Sequence, residues 1–132
     1  MVTRTNIKEV LGTTYPVGTS QVVLFIPDRD RENQAIDQKR WVDEALDVMG
    51  TIFRGATAFP PGRGVWRDDE FGGRLIKEQT VMVVSYVNRR LLTTANFRRL
   101  REFLHRFGRE TRQGEVGIVI DGKYYGISRY DV

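Results

Sequence analysis

The chain has 132 residues, with 21 basic and 17 acidic side chains, one histidine and no cysteine; 40% of its residues are hydrophobic and 29% charged. One domain with a real core fits that length and composition, and wholesale disorder does not. Disulfides, thiolate metal sites, a cysteine nucleophile and any multi-histidine site are excluded, and the absence of a signal-peptide core or a membrane-length apolar run predicts a cytoplasmic protein without membrane contact.

Residues 1–20 are weakly patterned and read as an arm, in which Ile7 to Leu11 can form a helical turn and Gly12 to Ser20 a turn-rich or short edge segment. Gln21 to Ile26 (QVVLFI) is a continuous apolar run stopped by Pro27, as expected of a buried central strand. Asp28 to Gln34 lacks apolar periodicity and is assigned to a surface loop. Asp37 then suits the N-cap of a helix, with Ile36 and Trp41 as a hydrophobic staple. Trp41, Ala45, Val48, Met49, Ile52 and Phe53 recur at helical spacing, and Gly50 and Gly55 point to an end near Thr51.

Ala56 to Phe59 reads as a strand that Pro60 and Pro61 interrupt and that Gly64 to Arg67 can resume. Leu75 to Val87 is amphipathic at first and apolar on both faces later, the pattern of a strand entering a sheet from an exposed end. Thr93 or Thr94 caps a second helix with the stripe Phe97, Leu100, Phe103, Leu104 and Phe107, and Gly108 is its expected stop. Glu115 to Ile120 is a further buried strand, and Asp121-Gly122 signals a tight hairpin to Lys123 to Ser128. The order β-α-β-β-α-β plus a terminal hairpin strand predicts an α+β, ferredoxin-like split βαβ sandwich over residues 21–132, with a mostly antiparallel sheet and both helices on one face.

Trp41, the run Gly55-Ala56-Thr57, the run Gly64 to Asp68, Glu78 before an apolar strand, and Phe107 to Glu110 leading into another strand follow one another in an order that resembles a bacterial family of small uncharacterised proteins. The resemblance covers roughly residues 22–121 and implies the ferredoxin-like fold. It implies no activity and no catalytic residue. The arginine-rich second helix and the DGKYYGI hairpin depart from the family pattern.

Two stretches carry candidate chemistry. The segment Pro60 to Gly73, read as the connection between the two βαβ halves, holds Gly62, Arg63, Gly64, Trp66 and Arg67. Its glycines can turn backbone N–H groups inward as an anion nest, its arginines add forked donors, and Trp66 can stack on a base. The competing reading is a hairpin connection whose Trp66 packs on the sheet. Asp68, Asp69 and Glu70 follow in sequence, but consecutive loop acids more often balance nearby arginines than collect a cation, so no metal and no cofactor are expected.

The other stretch is residues 89–112, with eight arginines against Glu102 and Glu110, whereas the rest of the chain holds 13 basic and 15 acidic groups. All of the positive excess lies there, which points to an anionic partner. Arg98, Arg101 and Arg106, with Arg63, Trp66 and Arg67, are the ligand-binding candidates. His105 and Glu78 are the acid–base candidates: the first on the polar flank of the second helix among arginines, the second on a pleat face with Ile76, Thr80 and Met82, where desolvation would raise its pKa. A solvated histidine and a glutamate paired with Arg74 or Lys77 are the alternatives.

Three functions are therefore in competition. The leading one is a small basic domain binding an anionic ligand, a nucleotide or RNA. The second is an enzyme cleaving phosphodiester or nucleotide substrates with His105 and Glu78, which requires both groups in one pocket. The third is a homodimeric interaction module that presents arginines to an acidic protein and covers its open sheet face with a second copy.

Overall fold

A computed structural model describes residues 5–14 and 19–132. The elements in chain order are α1 (Ile7–Leu11), β1 (Thr19–Pro27), α2 (Gln38–Phe53), β2 (Thr57–Ala58), β3 (Gly62–Asp68), β4 (Arg74–Asn88), α3 (Thr94–Glu110), β5 (Val116–Ile120) and β6 (Lys123–Ile127). The sheet order is β2-β4-β1-β5-β6, with β3 also paired to β4, and every pairing is antiparallel. With β2 and β3 counted as one interrupted strand, this is the ferredoxin-like order with β6 added at one edge.

Pleat alternation sends Val22, Leu24 and Ile26 of β1, Val81, Val83 and Val87 of β4, and Val116 and Ile118 of β5 to one face, where α2 and α3 bury them. Between the helices, Trp41 meets Phe107 edge-on at 5.2 Å and Phe103 at 6.2 Å. The caps follow the sequence: the Asp37 carboxylate accepts from the Arg40 N–H and the Thr93 hydroxyl from the Asn96 N–H. Asp121 and Gly122 both take positive φ, 51° and 79°, giving the tight turn expected of that pair. The turn is tied to β1, because the Asp121 carboxylate accepts from the Gln21 N–H and the Ser20 hydroxyl, each at 2.9 Å.

Several boundaries differ from expectation. α2 continues to Phe53, and Arg54 rather than a glycine takes the left-handed C-cap at φ 71°. α3 passes through Gly108 to Glu110, and the left-handed residue beyond it is Arg112. Thr19 and Ser20, assigned to the arm, belong to β1, and Ser20 is buried. α1 forms as expected, while the rest of the anticipated edge segment before Thr19 falls partly outside the described residues.

The largest difference concerns the connection between the halves. Gly64 to Arg67 resume the strand as expected, but the strand extends over residues 62–68, paired residue by residue with 74–80, so far less of Pro60 to Gly73 is loop. β4 has 15 residues and pairs with β1 only from Thr80 onward, so β3 and the first half of β4 project as a two-stranded ribbon. Only Asp69–Phe71, Gly72 and Gly73 turn the chain. Gly62 and Gly64 lie opposite Thr80 and Glu78 in extended conformation, so neither contributes the left-handed residue of an anion nest.

Candidate functional site: a cavity on the open sheet face

The face of the sheet away from the helices carries the opposite pleat set. Register places Phe25 of β1, Glu78 and Thr80 of β4, Trp66 of β3, and Gly117 and Tyr124 of the β5–β6 hairpin on that side. Together with Asp30, Arg31, Gln113 and Glu115, these side chains line a half-open cavity of about 390 Å³ between the ribbon and the β5–β6 hairpin. The rim is held by backbone contacts. The Asp30 carboxylate accepts from the Glu32 and Gln34 N–H groups at 2.8 and 2.9 Å, and the Gln113 amide donates to the Arg29 carbonyl at 3.0 Å.

One wall depends on a missing side chain. A Cβ on Gly117 would stand 2.6 Å from the Tyr124 ring, so glycine is what lets that ring lie across β5. The Tyr124 hydroxyl donates to Glu115 at 2.7 Å, and burial together with that carboxylate pushes the phenol up to about 12. It therefore remains a neutral hydrogen-bond donor near neutral pH. Opposite it, the Glu78 carboxyl is raised above its ordinary value, chiefly by burial. The Trp66 side-chain donor and the Thr80 hydroxyl pull it back down, and the Asp28 charge adds to the rise. A desolvated acid between an indole and a hydroxyl can hold a proton, accept from a hydroxyl, or face a cation.

Of the sequence-predicted site residues, Trp66 and Glu78 share this cavity; the others do not. Arg63 and Arg67 fall on the opposite pleat of β3, and Arg67 pairs with Asp69 at 2.5 Å. Asp68 is buried and pairs with Arg74, so these acids balance arginines. Among the described residues there is no group of three His, Cys, Asp or Glu side chains arranged to hold a metal ion.

His105 lies in the helix layer, on the other side of the sheet, and lines a different hollow from Glu78. It is 6% exposed rather than solvated, and its Nδ1 accepts from the Asp131 N–H at 2.8 Å, which leaves the proton of the neutral ring on Nε2. The C-terminal residues fold back over α3, with Tyr130 edge-on to His105, and a helical wheel cannot anticipate that cover. The same tail occupies Arg101, which pairs with Asp131 through two bonds of 2.8 and 2.9 Å. Arg106 reaches across to Glu44 at 3.0 Å and lies 5.0 Å above the Trp41 ring. Arg98 remains exposed and makes no ion pair among the described residues. The helix arginines thus mostly tie down neighbouring elements. Phe25, Glu115 and the rim loop were missed; the Asp-Gly turn fixes the β5–β6 register and so could have placed Tyr124 beside Gly117.

No family model matches the chain, and no curated protein matches it. Solved structures do. The chain is similar in fold to a phage SAM lyase. The complex of that lyase with S-methyl-5′-thioadenosine aligns at TM-score 0.66 and 15% identity, over 89% of this chain and 95% of the lyase. Its apo state aligns at 0.59 and 17% over the same shares. The divalent cation tolerance protein Cut A1 from Thermus thermophilus aligns at 0.49 and 13%, over 86% of this chain and 87% of that one. At these identities the lyase likeness speaks to the fold, in agreement with the strand order, and the resemblance to small bacterial proteins stands at that level alone.

Proposed function

We propose that the protein binds an adenosine-type nucleoside with a neutral or cationic 5′ substituent in the open-face cavity. The observation that carries this reading is the combination of aromatic walls, from Phe25, Trp66 and Tyr124, with the desolvated Glu78 in a space of nucleoside size. Aromatic faces suit a base or a sulfonium, and Glu78 suits ribose hydroxyls or a positive charge. Three carboxylates (Asp30, Glu78, Glu115) against Arg31 disfavour a polyphosphate, so the anionic ligand expected from the net charge does not belong here. The lyase of similar fold, whose complex holds S-methyl-5′-thioadenosine, supports the nucleoside class, and S-adenosylmethionine is the leading candidate.

Trp41 is 3% exposed in the core, so a ligand-induced change in tryptophan fluorescence reports on Trp66. Titration with S-adenosylmethionine and S-methyl-5′-thioadenosine is expected to saturate, ATP to bind more weakly, and Trp66→Leu to weaken binding by about tenfold, the scale of one lost stacking contact. ATP binding more tightly than either nucleoside would reject the assignment. The raised Glu78 also favours a catalytic version of the same reading, with Glu78 as acid or base and without His105. Chromatography of S-adenosylmethionine incubated with the protein tests it: release of S-methyl-5′-thioadenosine that Glu78→Gln abolishes is expected, and an unchanged substrate refutes it. Self-association rests on the exposed Val65 and Leu75, on one pleat of the ribbon, and light scattering that returns a monomer mass at high concentration removes it.

A further inference from the structure

Two arginines that the nucleoside cavity leaves unused, Arg54 and Arg90, stand at the opposite end of β4. β2 pairs only Thr57 with Val84 and Ala58 with Val83. Continued in that register, Gly55 would stand opposite Tyr86, but the chain has already turned out of α2 at Arg54. The space left beside the end of β4 is a groove of about 410 Å³ lined by Phe53, Arg54, Tyr86, Asn88, Arg90 and Leu91.

Its chemistry is the reverse of the cavity's. Among the described residues no carboxylate lines it. Neither Arg54 nor Arg90 has a carboxylate within ion-pair distance among the described residues, in contrast to Arg101, Arg106 and Arg112 on and after α3. Arg54 stands in left-handed conformation although a glycine is the next residue, a conformation that costs a residue with a Cβ something on the order of 1 kcal/mol. The Asn88 side-chain oxygen accepts from the Arg90 N–H at 3.0 Å, which leaves its amide NH₂ as a donor. Tyr86 is 70% exposed, and its hydroxyl is met by the Gln21 amide at 3.5 Å, so a flat aromatic face is presented beside two forked cations.

We infer that this groove is a second binding site, for a nucleoside phosphate: Arg54 and Arg90 hold the phosphate from two sides, Asn88 adds a donor, and the base stacks on Tyr86. Guanidinium forks match phosphate oxygens in pairs, and aromatic stacking accepts any base. The same chemistry serves a free mononucleotide or one unit of single-stranded RNA. The site is separate from the nucleoside cavity and does not depend on its assignment.

The experiment is binding of adenosine monophosphate, adenosine and a fluorescein-labelled eight-residue oligoadenylate to the full chain and to Arg54→Gly/Arg90→Gln, from low to moderate salt. Arg54→Gly suits the left-handed position, so the melting temperature of the double variant should equal or exceed that of the parent, and lost binding then reports on the groove. The phosphorylated probes are expected to bind the parent and to lose at least tenfold in the variant. For the oligoadenylate, the slope of log affinity against log salt should become shallower by about 0.7, the share of the one phosphate that the two arginines hold. Tyr86→Leu should cost roughly tenfold without changing that slope. Oligoadenylate bound more tightly than the monophosphate identifies single-stranded RNA as the source, and equal affinity identifies the mononucleotide. Adenosine binding that the double variant weakens as much as it weakens the monophosphate, no binding of either phosphorylated probe at low salt, or equal binding of those probes by parent and double variant overturns the site. S-methyl-5′-thioadenosine titrated into the same double variant separates the two sites, since its binding should be unchanged.

Discussion

Gly117→Ala is the substitution that separates cavity shape from protein stability. The added methyl would lie 2.6 Å from two atoms of the Tyr124 side chain and 2.9 Å from a third, inside any tolerable contact. The backbone at Gly117 is an ordinary paired strand position without positive φ, so the strain falls on the ring. Tyr124 is on the edge strand and 58% exposed, so it can swing outward and lose its 2.7 Å bond to Glu115. That loss should cost on the order of 1 kcal/mol of stability, the net worth of one exposed hydrogen bond. Removal of an aromatic wall from a bound base should cost about 1–3 kcal/mol of binding, roughly five- to 150-fold. Calorimetric titration with S-methyl-5′-thioadenosine beside thermal melting checks both quantities, and Tyr124→Phe, which keeps the ring, should retain most of the affinity. A Gly117→Ala protein that melts normally and binds with unaltered affinity would refute the placement of Tyr124 in the site.

Two further outcomes follow from the same geometry. Glu78→Gln should raise the melting temperature near pH 7–8 and leave it unchanged well below pH 4.5: a carboxyl raised by burial favours the folded state while protonated, loses that contribution as pH rises from 4.5 through its folded value, and is a constant penalty above it. A parent-minus-variant difference independent of pH would show Glu78 to be solvated. Phe107→Ala removes a ring that is 1% exposed and packed against Trp41 and Phe103, and should cost about 3–5 kcal/mol in denaturant unfolding. A loss below about 1 kcal/mol would mean that the interhelical cluster is not the core.

How much was legible in the chain divides by the range of the interactions. Local signals were sufficient for the elements: the Asp37 and Thr93 caps, the helical spacing of Trp41 to Phe53 and Phe97 to Phe107, and the Asp121-Gly122 turn each act within a few residues, and their order implied the ferredoxin-like topology. The amphipathic start of Leu75 to Val87 even announced the projecting ribbon. What local pattern could not supply was the partner of each polar group. Gly62 to Asp68 became a strand because β4 is long enough to pair with it, which turned an apparent anion loop into a wall of a cavity. His105 was buried, and Arg101 and Arg106 neutralised, by a tail and a helix that are 26 to 62 residues distant in sequence. Charge composition is summed along the chain, but a site is made of groups left unpaired after folding. The sequence alone therefore determined the sheet, the helices and their order, and Glu78 as an acid on a strand. Only the tertiary structure decided that Glu78 faces Trp66 and Tyr124 across a cavity, and that the unpaired arginines of the β4 groove are Arg54 and Arg90, because register across the sheet and the return of the C-terminal tail set which side chains meet.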